Sequence, residues 1–251
     1  MVHFVGAGCG APDLITVRGA RLIAEADVVI YAGSLVNPEL LRYAKEDCEL
    51  HDSARMTLEQ VLAVIRAAEE VGKTTVRLHT GDPSLYGAVR EQFDALDALG
   101  IAYNVCPGVS ALSGVAAALK AEYTLPEVSQ TLIVTRMEGR TPVPEREKLR
   151  ALAAHGASMA LFLSAGLLDR AQEELLAGGY APDTPAAIVY KASWPEEKVF
   201  RCRVDELAAV AARNGIRKTA LVVVGEFLGG DYARSRLYAP DFSTEFREAQ
   251  P

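Results

Sequence analysis

The chain has 251 residues, of which 50% are hydrophobic and 24% are charged, a balance typical of a globular protein with a buried core. Its formal net charge of −7 argues against nucleic-acid or membrane-surface binding, which favours a basic face, so an acidic substrate would need a local basic pocket. Four scattered cysteines, four histidines and no signal-peptide or membrane-spanning pattern predict a cytoplasmic protein with no disulfide framework and no metal site.

The first half of the chain alternates short β-branched runs with longer helical patterns. Strands are predicted over residues 2–5, 28–31, 74–78 and 102–105. Thr16 is a candidate N-cap for a helix that runs to Ala26, and Thr57 with Gln60 forms a capping-box pattern that opens the next helix. Two further helices are expected to end at Leu99 and near Leu119. Strands that alternate with helices predict a parallel sheet covered on both faces.

The second half restarts after residues 121–130, where Pro126 and several polar residues break the rhythm. Strands are predicted over 132–135, 159–163, 185–190 and 220–224, and residues 199–204 read as one arm of a hairpin, which makes the second sheet mixed. The sequence thus predicts an α/β protein with an N-terminal domain over 1–120, a linker over 121–130 and a C-terminal domain over 131–251.

Three loops follow predicted parallel strands, at residues 6–12, 80–87 and 107–111, where ligands of such sheets usually bind. The first is rich in glycine and raises the alternative of an NAD-type oxidoreductase. That fingerprint is incomplete, because Ala11 replaces its third glycine, Pro12 interrupts the expected helix start, and Tyr31-Ala32 stands where an acidic residue should hold a ribose. A tight turn explains the same glycines.

The second of these loops places Asp82 directly after an apolar strand. Its carboxylate could accept hydrogen bonds from a ribose or an amino group of a ligand. An Asx-turn that caps the next helix is the structural alternative.

Several segments occur in an order that resembles the tetrapyrrole (corrin/porphyrin) methyltransferase family over nearly the whole chain. The segments are Gly6-Ala7-Gly8-Cys9-Gly10-Ala11-Pro12-Asp13-Leu14-Ile15-Thr16, Ala26-Asp27-Val28-Val29-Ile30-Tyr31, Gly81-Asp82-Pro83-Ser84-Leu85-Tyr86-Gly87, Pro107-Gly108-Val109-Ser110-Ala111 and Thr219-Ala220-Leu221-Val222-Val223-Val224-Gly225-Glu226. The resemblance implies two α/β domains with the active-site cleft between them, usually in a homodimer. It also implies S-adenosyl-L-methionine as methyl donor, S-adenosyl-L-homocysteine as product and a small-molecule tetrapyrrole as substrate.

Within the family, two segments most resemble the members that methylate C11 of precorrin-4 in cobalamin biosynthesis. They are Tyr31-Ala32-Gly33-Ser34-Leu35-Val36 and His51-Asp52-Ser53-Ala54. Ala32 stands where members that act on uroporphyrinogen carry an aspartate, which favours a later step of the pathway. Whether the substrate carries cobalt stays open.

The resemblance also implies candidate site residues. Those expected to contact the methyl donor, mostly through backbone groups, are Cys9, Thr80, Gly81, Asp82, Leu85, Ser110, Ala111, Leu163 or its neighbour Ser164, Ala192, Thr219 and Ala220. Cys9 replaces a proline common in the family. Because the substrate is a polycarboxylate, we expect Arg55, Arg136 and Lys191 to bind it, with surface solvation as the alternative.

No residue is identified as a dedicated base for the proton that leaves the substrate. Asp52 and His79 are candidates by position, and a structural role is the alternative for each. Other functions left open are another corrin-ring methyltransferase, diphthine synthase, the NAD-type oxidoreductase and a tetrapyrrole carrier without catalysis.

Overall fold

The computed structural model describes residues 1–230 and 232–250, which divide into two compact units. The first unit comprises Met1–Gly114 together with Lys191–Glu197, and the second comprises the remainder of the described chain. The division falls between Gly114 and Val115, ahead of the linker predicted at 121–130. The short excursion at 191–197 returns the chain to the first unit, a connection that sequence patterning does not reveal.

The first unit is built on a five-stranded, all-parallel sheet with strand order β3-β2-β4-β1-β5. Its elements in chain order are β1 (Val2–Gly6), α1 (Val17–Glu25), β2 (Val28–Tyr31), β3 (Glu49–Asp52), α2 (Leu58–Glu70), β4 (Thr75–His79), α3 (Arg90–Leu99) and β5 (Tyr103–Cys106), followed by α4 (Ala111–Leu119) at the division between the units. The predicted parallel sheet is confirmed.

Local sequence explains where the helices of this unit begin. The Gly19 N–H donates to the Thr16 hydroxyl at 3.0 Å, and Thr57 forms the predicted capping box with Gln60. Helix α1 packs on one face of the sheet, and α2 and α3 pack on the other. The sequence analysis missed β3, because Glu-Leu-His-Asp at a sheet edge has no β-branched run.

The direction of the connections creates a crevice in this sheet. The chain leaves β1 towards β2 on one side and leaves β4 towards β5 on the other, although β1 and β4 are neighbours. Ligands of open α/β sheets bind outside the carboxyl ends of the strands at such a switch point. The loops after β1 and β4 therefore flank the place where a ligand is expected.

The second unit contains a mixed five-stranded sheet with order β6-β7-β10-β8-β9. Its elements are β6 (Leu132–Arg136), α5 (Leu149–Ala153), β7 (Ser158–Phe162), α6 (Leu168–Ala177), β8 (Pro185–Tyr190), β9 (Lys198–Arg203), α7 (Leu207–Arg213) and β10 (Ala220–Val224). Only β6 and β7 pair in parallel, and β8 and β9 form the predicted hairpin. The predicted mixed sheet is confirmed.

The pairing places the carboxyl ends of β6, β7 and β8 and the first residues of β9 and β10 at one edge of this sheet. Among the described residues of both units, no helix is long and apolar enough to cross a membrane.

Candidate functional site

The loops that follow β1, β4 and β5 meet in direct backbone contact. The Gly81 N–H donates to the Gly8 carbonyl at 2.8 Å, and the Gly8 N–H donates back at 3.3 Å. A Cβ on Gly6 would lie 2.5 Å from the Gly108 Cα, and one on Gly108 would lie 2.1 Å from the Gly81 carbonyl oxygen. Only glycine permits this approach, so these residues build a wall of bare backbone beside the crevice.

Asp82 connects two of these loops through its carboxylate. One oxygen accepts the Ser84 N–H at 2.8 Å and the Ser84 hydroxyl, and the other accepts the Gly108 N–H at 2.8 Å. Partial burial opposes ionisation, but these three hydrogen bonds prevail and lower the pKa of Asp82. Asp82 forms an Asx-turn with Ser84, but this turn does not cap the next helix, because α3 begins at Arg90 without a side-chain cap. The bond to Gly108 gives Asp82 a further role in fixing the shape of the crevice wall.

Residues 191–197, which we name the strap, hold the glycine-rich loop from the other side. The Ser193 hydroxyl accepts the Ala11 N–H at 3.0 Å and lies 3.3 Å from the Cys9 sulfur. A Cβ on Gly10 would lie 2.2 Å from the Trp194 ring, so the indole packs directly on this glycine. The strap therefore fixes the loop through the Ser193 hydroxyl and the Trp194 indole.

Buried Asn37 is a further support that the sequence analysis missed. Its side-chain N–H donates to the Gly10 carbonyl at 2.9 Å, and its side-chain oxygen accepts the Glu39 N–H at 3.0 Å. The dipeptide Asn37-Pro38 was an available signal for a turn at this point. Nothing in the local pattern pointed to its long-range bond with the glycine-rich loop.

The structure brings the predicted cofactor residues of the first unit to one end of the parallel sheet. They are Cys9, Thr80, Gly81, Asp82, Leu85, Ser110, Ala111 and, on the strap, Ala192. The dinucleotide alternative finds no support in this geometry. A 3-10 turn at Pro12–Leu14 separates the glycine-rich loop from α1, so no helix N-terminus opens directly on the loop.

The predicted cofactor residues of the second unit also share one edge of their sheet. Leu163 and Ser164 follow β7, and Thr219 and Ala220 lie at the start of the adjacent strand β10. Leu163 is 64% exposed and has a left-handed backbone with φ of 53°. The buried Ser164 hydroxyl accepts the Met137 N–H at 2.8 Å and donates to the Phe162 carbonyl at the end of β7 at 2.7 Å, so it orders the turn.

A basic cavity of about 660 Å³ opens at this same edge of the second unit. Its lining residues are Arg136, Met137, Gly139, Arg140, Thr141, Leu163, Gly166, Leu167, Arg170 and Arg217. The cavity joins one predicted substrate residue, Arg136, with one predicted cofactor residue, Leu163. The sequence analysis did not identify Arg140, Arg170 or Arg217 as candidate site residues, because none of them lies in a recognisable motif.

The other two predicted substrate residues lie elsewhere. Arg55 is exposed in a 3-10 turn after β3 in the first unit. Lys191 lies on the strap, where its ammonium is 3.2 Å from a Glu196 oxygen and 5.0 Å from the centre of the Trp194 ring. The positive charge of Lys191 is therefore partly compensated by Glu196 within the strap.

The two candidate bases occupy different environments. Asp52, half-buried at the end of β3, accepts the N–H groups of Gly33 at 3.0 Å and Ala54 at 2.9 Å through one oxygen. His79 is only 4% exposed at the end of β4, and burial together with the charge of Arg77 lowers its pKa to about 3. Such a neutral, enclosed ring favours a structural role for His79.

Comparison with known proteins identifies the family. The family described as Tetrapyrrole (Corrin/Porphyrin) Methylases matches residues 1–208. The chain is 52% identical to the cobalt-precorrin-4 C(11)-methyltransferase of Methanocaldococcus jannaschii, over 99% of this chain and 96% of that protein. It is 45% identical to the precorrin-4 C(11)-methyltransferase of a Sinorhizobium species, over 98% of each chain.

Solved structures agree with this result. A cobalt precorrin-4 methyltransferase, described as a cobalamin biosynthetic enzyme, superimposes with a TM-score of 0.89 at 45% identity, covering 91% of this chain and 96% of that one. Uroporphyrin-III C-methyl transferase from Thermus thermophilus, complexed with S-adenyl homocysteine, gives a TM-score of 0.76 at 27% identity, with coverage of 91% and 93%. The chain belongs to the tetrapyrrole (corrin/porphyrin) methylase family.

Proposed function

We propose that this protein transfers a methyl group from S-adenosyl-L-methionine to C11 of precorrin-4, in its metal-free or cobalt-containing form, during cobalamin biosynthesis. The observation that carries the proposal is the meeting of three glycine-containing loops at the switch point of the parallel sheet, in a chain 52% identical to a protein of this activity. We further propose that it acts in the cytoplasm, and that it forms a homodimer, as the family resemblance implies.

The crevice of the first unit fits a donor that is held mainly by backbone groups. Because Gly6, Gly81 and Gly108 have no side chains, the three loops pack directly against one another and the crevice wall consists of backbone. Asp82 and the Ser193 hydroxyl keep the loops in place. The family resemblance implies donor contacts with Cys9, Thr80, Gly81, Asp82, Leu85, Ser110, Ala111 and Ala192 in the first unit, and likewise with Leu163, Ser164, Thr219 and Ala220.

When bound, S-adenosyl-L-methionine supplies an electrophilic methyl group, and the transfer is an in-line displacement that needs little covalent help from the protein. The residues of the chain act mainly by orienting donor and acceptor and by excluding water. The two backbone hydrogen bonds between Gly8 and Gly81, together with the hydrogen bonds to the Asp82 carboxylate, hold the crevice wall in place, which suits that task.

A proton must also leave the substrate, and Asp52 is the better placed of the two candidates to take it. The His79 ring is buried and weakly basic, whereas the Asp52 carboxylate is half-buried at the carboxyl end of its strand. Asp52 also shapes the segment that begins at Gly33, where a Cβ would lie 2.4 Å from its Oδ1. That segment carries the likeness to C11-specific members, so Asp52 links proton handling with the choice of carbon.

The first experiment is isothermal titration of the purified protein with S-adenosyl-L-homocysteine, with NAD as the control ligand. Binding of S-adenosyl-L-homocysteine without NAD supports the methyltransferase function. Binding of NAD alone would refute that function and favour an oxidoreductase. Incubation with precorrin-4 and separately with cobalt-precorrin-4 then tests the reaction, with the methylated carbon located by ¹³C NMR. Methylation at another carbon would replace C11, and substrate binding without donor binding would indicate a carrier.

A further inference from the structure

We propose that the basic cavity of the second unit binds acetate and propionate side chains of the tetrapyrrole through Arg140, Arg170 and Arg217. This inference rests on the proposed function and deepens it by assigning a carboxylate subsite. These arginines come from three separate parts of the chain, after β6, in the first turn of α6 and before β10, and they converge on one concavity.

Arg136 has a different task from the other three. Its guanidinium donates to the Thr141 carbonyl at 3.2 Å and to the Pro142 carbonyl at 2.7 Å. These bonds fold residues 137–142 back over the end of β6 and so form one wall of the cavity. Arg136 is a positioning residue that presents Arg140, because both of its terminal amino groups donate to carbonyl groups of this segment.

The remaining three guanidinium groups are available for a ligand. Within the described residues, Arg140, Arg170 and Arg217 are exposed and make no ion pair with a carboxylate, and the acidic neighbours Glu138 and Asp169 do not line the cavity. Some other exposed arginines do pair with carboxylates, such as Arg150, which lies 2.9 Å from a Glu174 oxygen. A chain with a net charge of −7 thus concentrates uncompensated positive charge in one cavity.

Helix α6 adds to the attraction for anions. Gly166, Leu167 and Arg170 line the cavity, so the N-terminus of this ten-residue helix opens on it. The N-cap residue Leu167 has no side chain that could accept the free N–H groups of the first turn. Those groups and the helix dipole favour a negative charge at the same place as the three arginines.

The chemistry of the cavity matches several carboxylates better than one. Each guanidinium can bind a carboxylate with two parallel hydrogen bonds, so three of them suit a ligand with carboxylates spread along its edge. Leu163, which lines the same cavity and is 64% exposed, is also among the residues proposed to contact the donor, so this subsite adjoins the donor residues of the second unit. A volume of about 660 Å³ accommodates side chains and part of a ring.

The test measures binding of uroporphyrin III, a stable octacarboxylate, by fluorescence titration to the full-length protein. Arg140→Ala, Arg170→Ala and Arg217→Ala are compared with Arg213→Ala, which removes an exposed arginine outside the cavity. We expect each cavity variant to raise the Kd about tenfold, the triple variant to abolish binding, and the control to match the wild type. Added salt should weaken wild-type binding. With precorrin-4, the cavity variants should raise KM more than they lower kcat.

Parallel titrations with S-adenosyl-L-homocysteine separate this inference from the proposed function. Unchanged donor affinity in the folded variants supports the subsite, whereas an equal loss of donor affinity would show that the cavity holds the donor and would overturn it. The carboxylate subsite would also be refuted if all three variants bound uroporphyrin as tightly as the wild type does. A wild-type protein that binds uroporphyrin through these arginines but never binds the donor would refute the methyltransferase and keep the carboxylate site.

Discussion

Replacement of His79 by phenylalanine should make the protein less sensitive to acid. The histidine ring is 4% exposed, stacks near Phe4 with 6.0 Å between ring centroids, and leaves its buried Nε2 without a hydrogen-bond partner among the described residues. Phenylalanine has a similar shape and adds no polar atom, so the substitution removes the titration without removing an Nε2 hydrogen bond.

The magnitude follows from the difference in pKa between the two states. Burial and the charge of Arg77 lower the pKa of His79 from 6.5 to about 3 in the folded protein. The folded state therefore keeps the ring neutral while the unfolded chain takes up a proton below pH 6.5, so stability is present above that pH and is lost as the pH falls towards 3. Since each pH unit in this window costs about 1.4 kcal/mol, the wild type should lose about 2 kcal/mol through this residue between pH 7 and pH 5.

Urea unfolding at several pH values between 7 and 5 measures this effect. All other titrating groups are common to both proteins, so the quantity of interest is the difference between the two curves of unfolding free energy against pH. His155→Gln is the matched control, because that histidine is exposed. We expect the His79→Phe curve to be flatter by about 2 kcal/mol over the range. Parallel curves for the wild type and His79→Phe would refute the reasoning.

Three further predictions concern the first unit. Asp52→Asn keeps an oxygen for its two N–H donors but cannot take a proton, so methyl transfer should fall at least about tenfold, with Asp52→Ala lower still; full activity in the asparagine variant would leave only the structural role. Asp82→Ala frees the Gly108 N–H and should weaken S-adenosyl-L-homocysteine binding about tenfold in calorimetry while the circular dichroism spectrum is kept; unchanged affinity would remove Asp82 from the site. Gly108→Ala forces a Cβ to 2.1 Å from the Gly81 carbonyl oxygen and should lower the free energy of unfolding by about 1–3 kcal/mol, whereas Gly230→Ala, which meets no atom within 4 Å, should change it little.

Much of the architecture could be predicted, because it depends on the local spacing of apolar residues along the sequence. The β-branched strands and the caps at Thr16 and Thr57 depend on neighbouring residues only, and the structure confirms them. Strand β3 was not predicted, because its polar sequence has little β-propensity and pairing with β2 stabilises it.

The candidate site divides in the same way. Asp82 could be identified as a candidate site residue from the sequence, because the glycines and the proline around it indicate a constrained loop after a strand. Its bond to Gly108 spans 26 residues and the bond of Ser193 to Ala11 spans 182. The convergence of Arg140 and Arg217 on one cavity likewise depends on strand order, which no local pattern contains.

The strap has a consequence for how the protein can acquire its native structure during synthesis. Residues 191–197 belong to the first unit although the chain between Val115 and Tyr190 belongs to the second. Until the ribosome has made Ser193 and Trp194, the glycine-rich loop lacks the acceptor for its Ala11 N–H and the indole that packs on Gly10. The parallel sheet can form early on the nascent chain, but the loop beside it is completed only when most of the second unit has been translated.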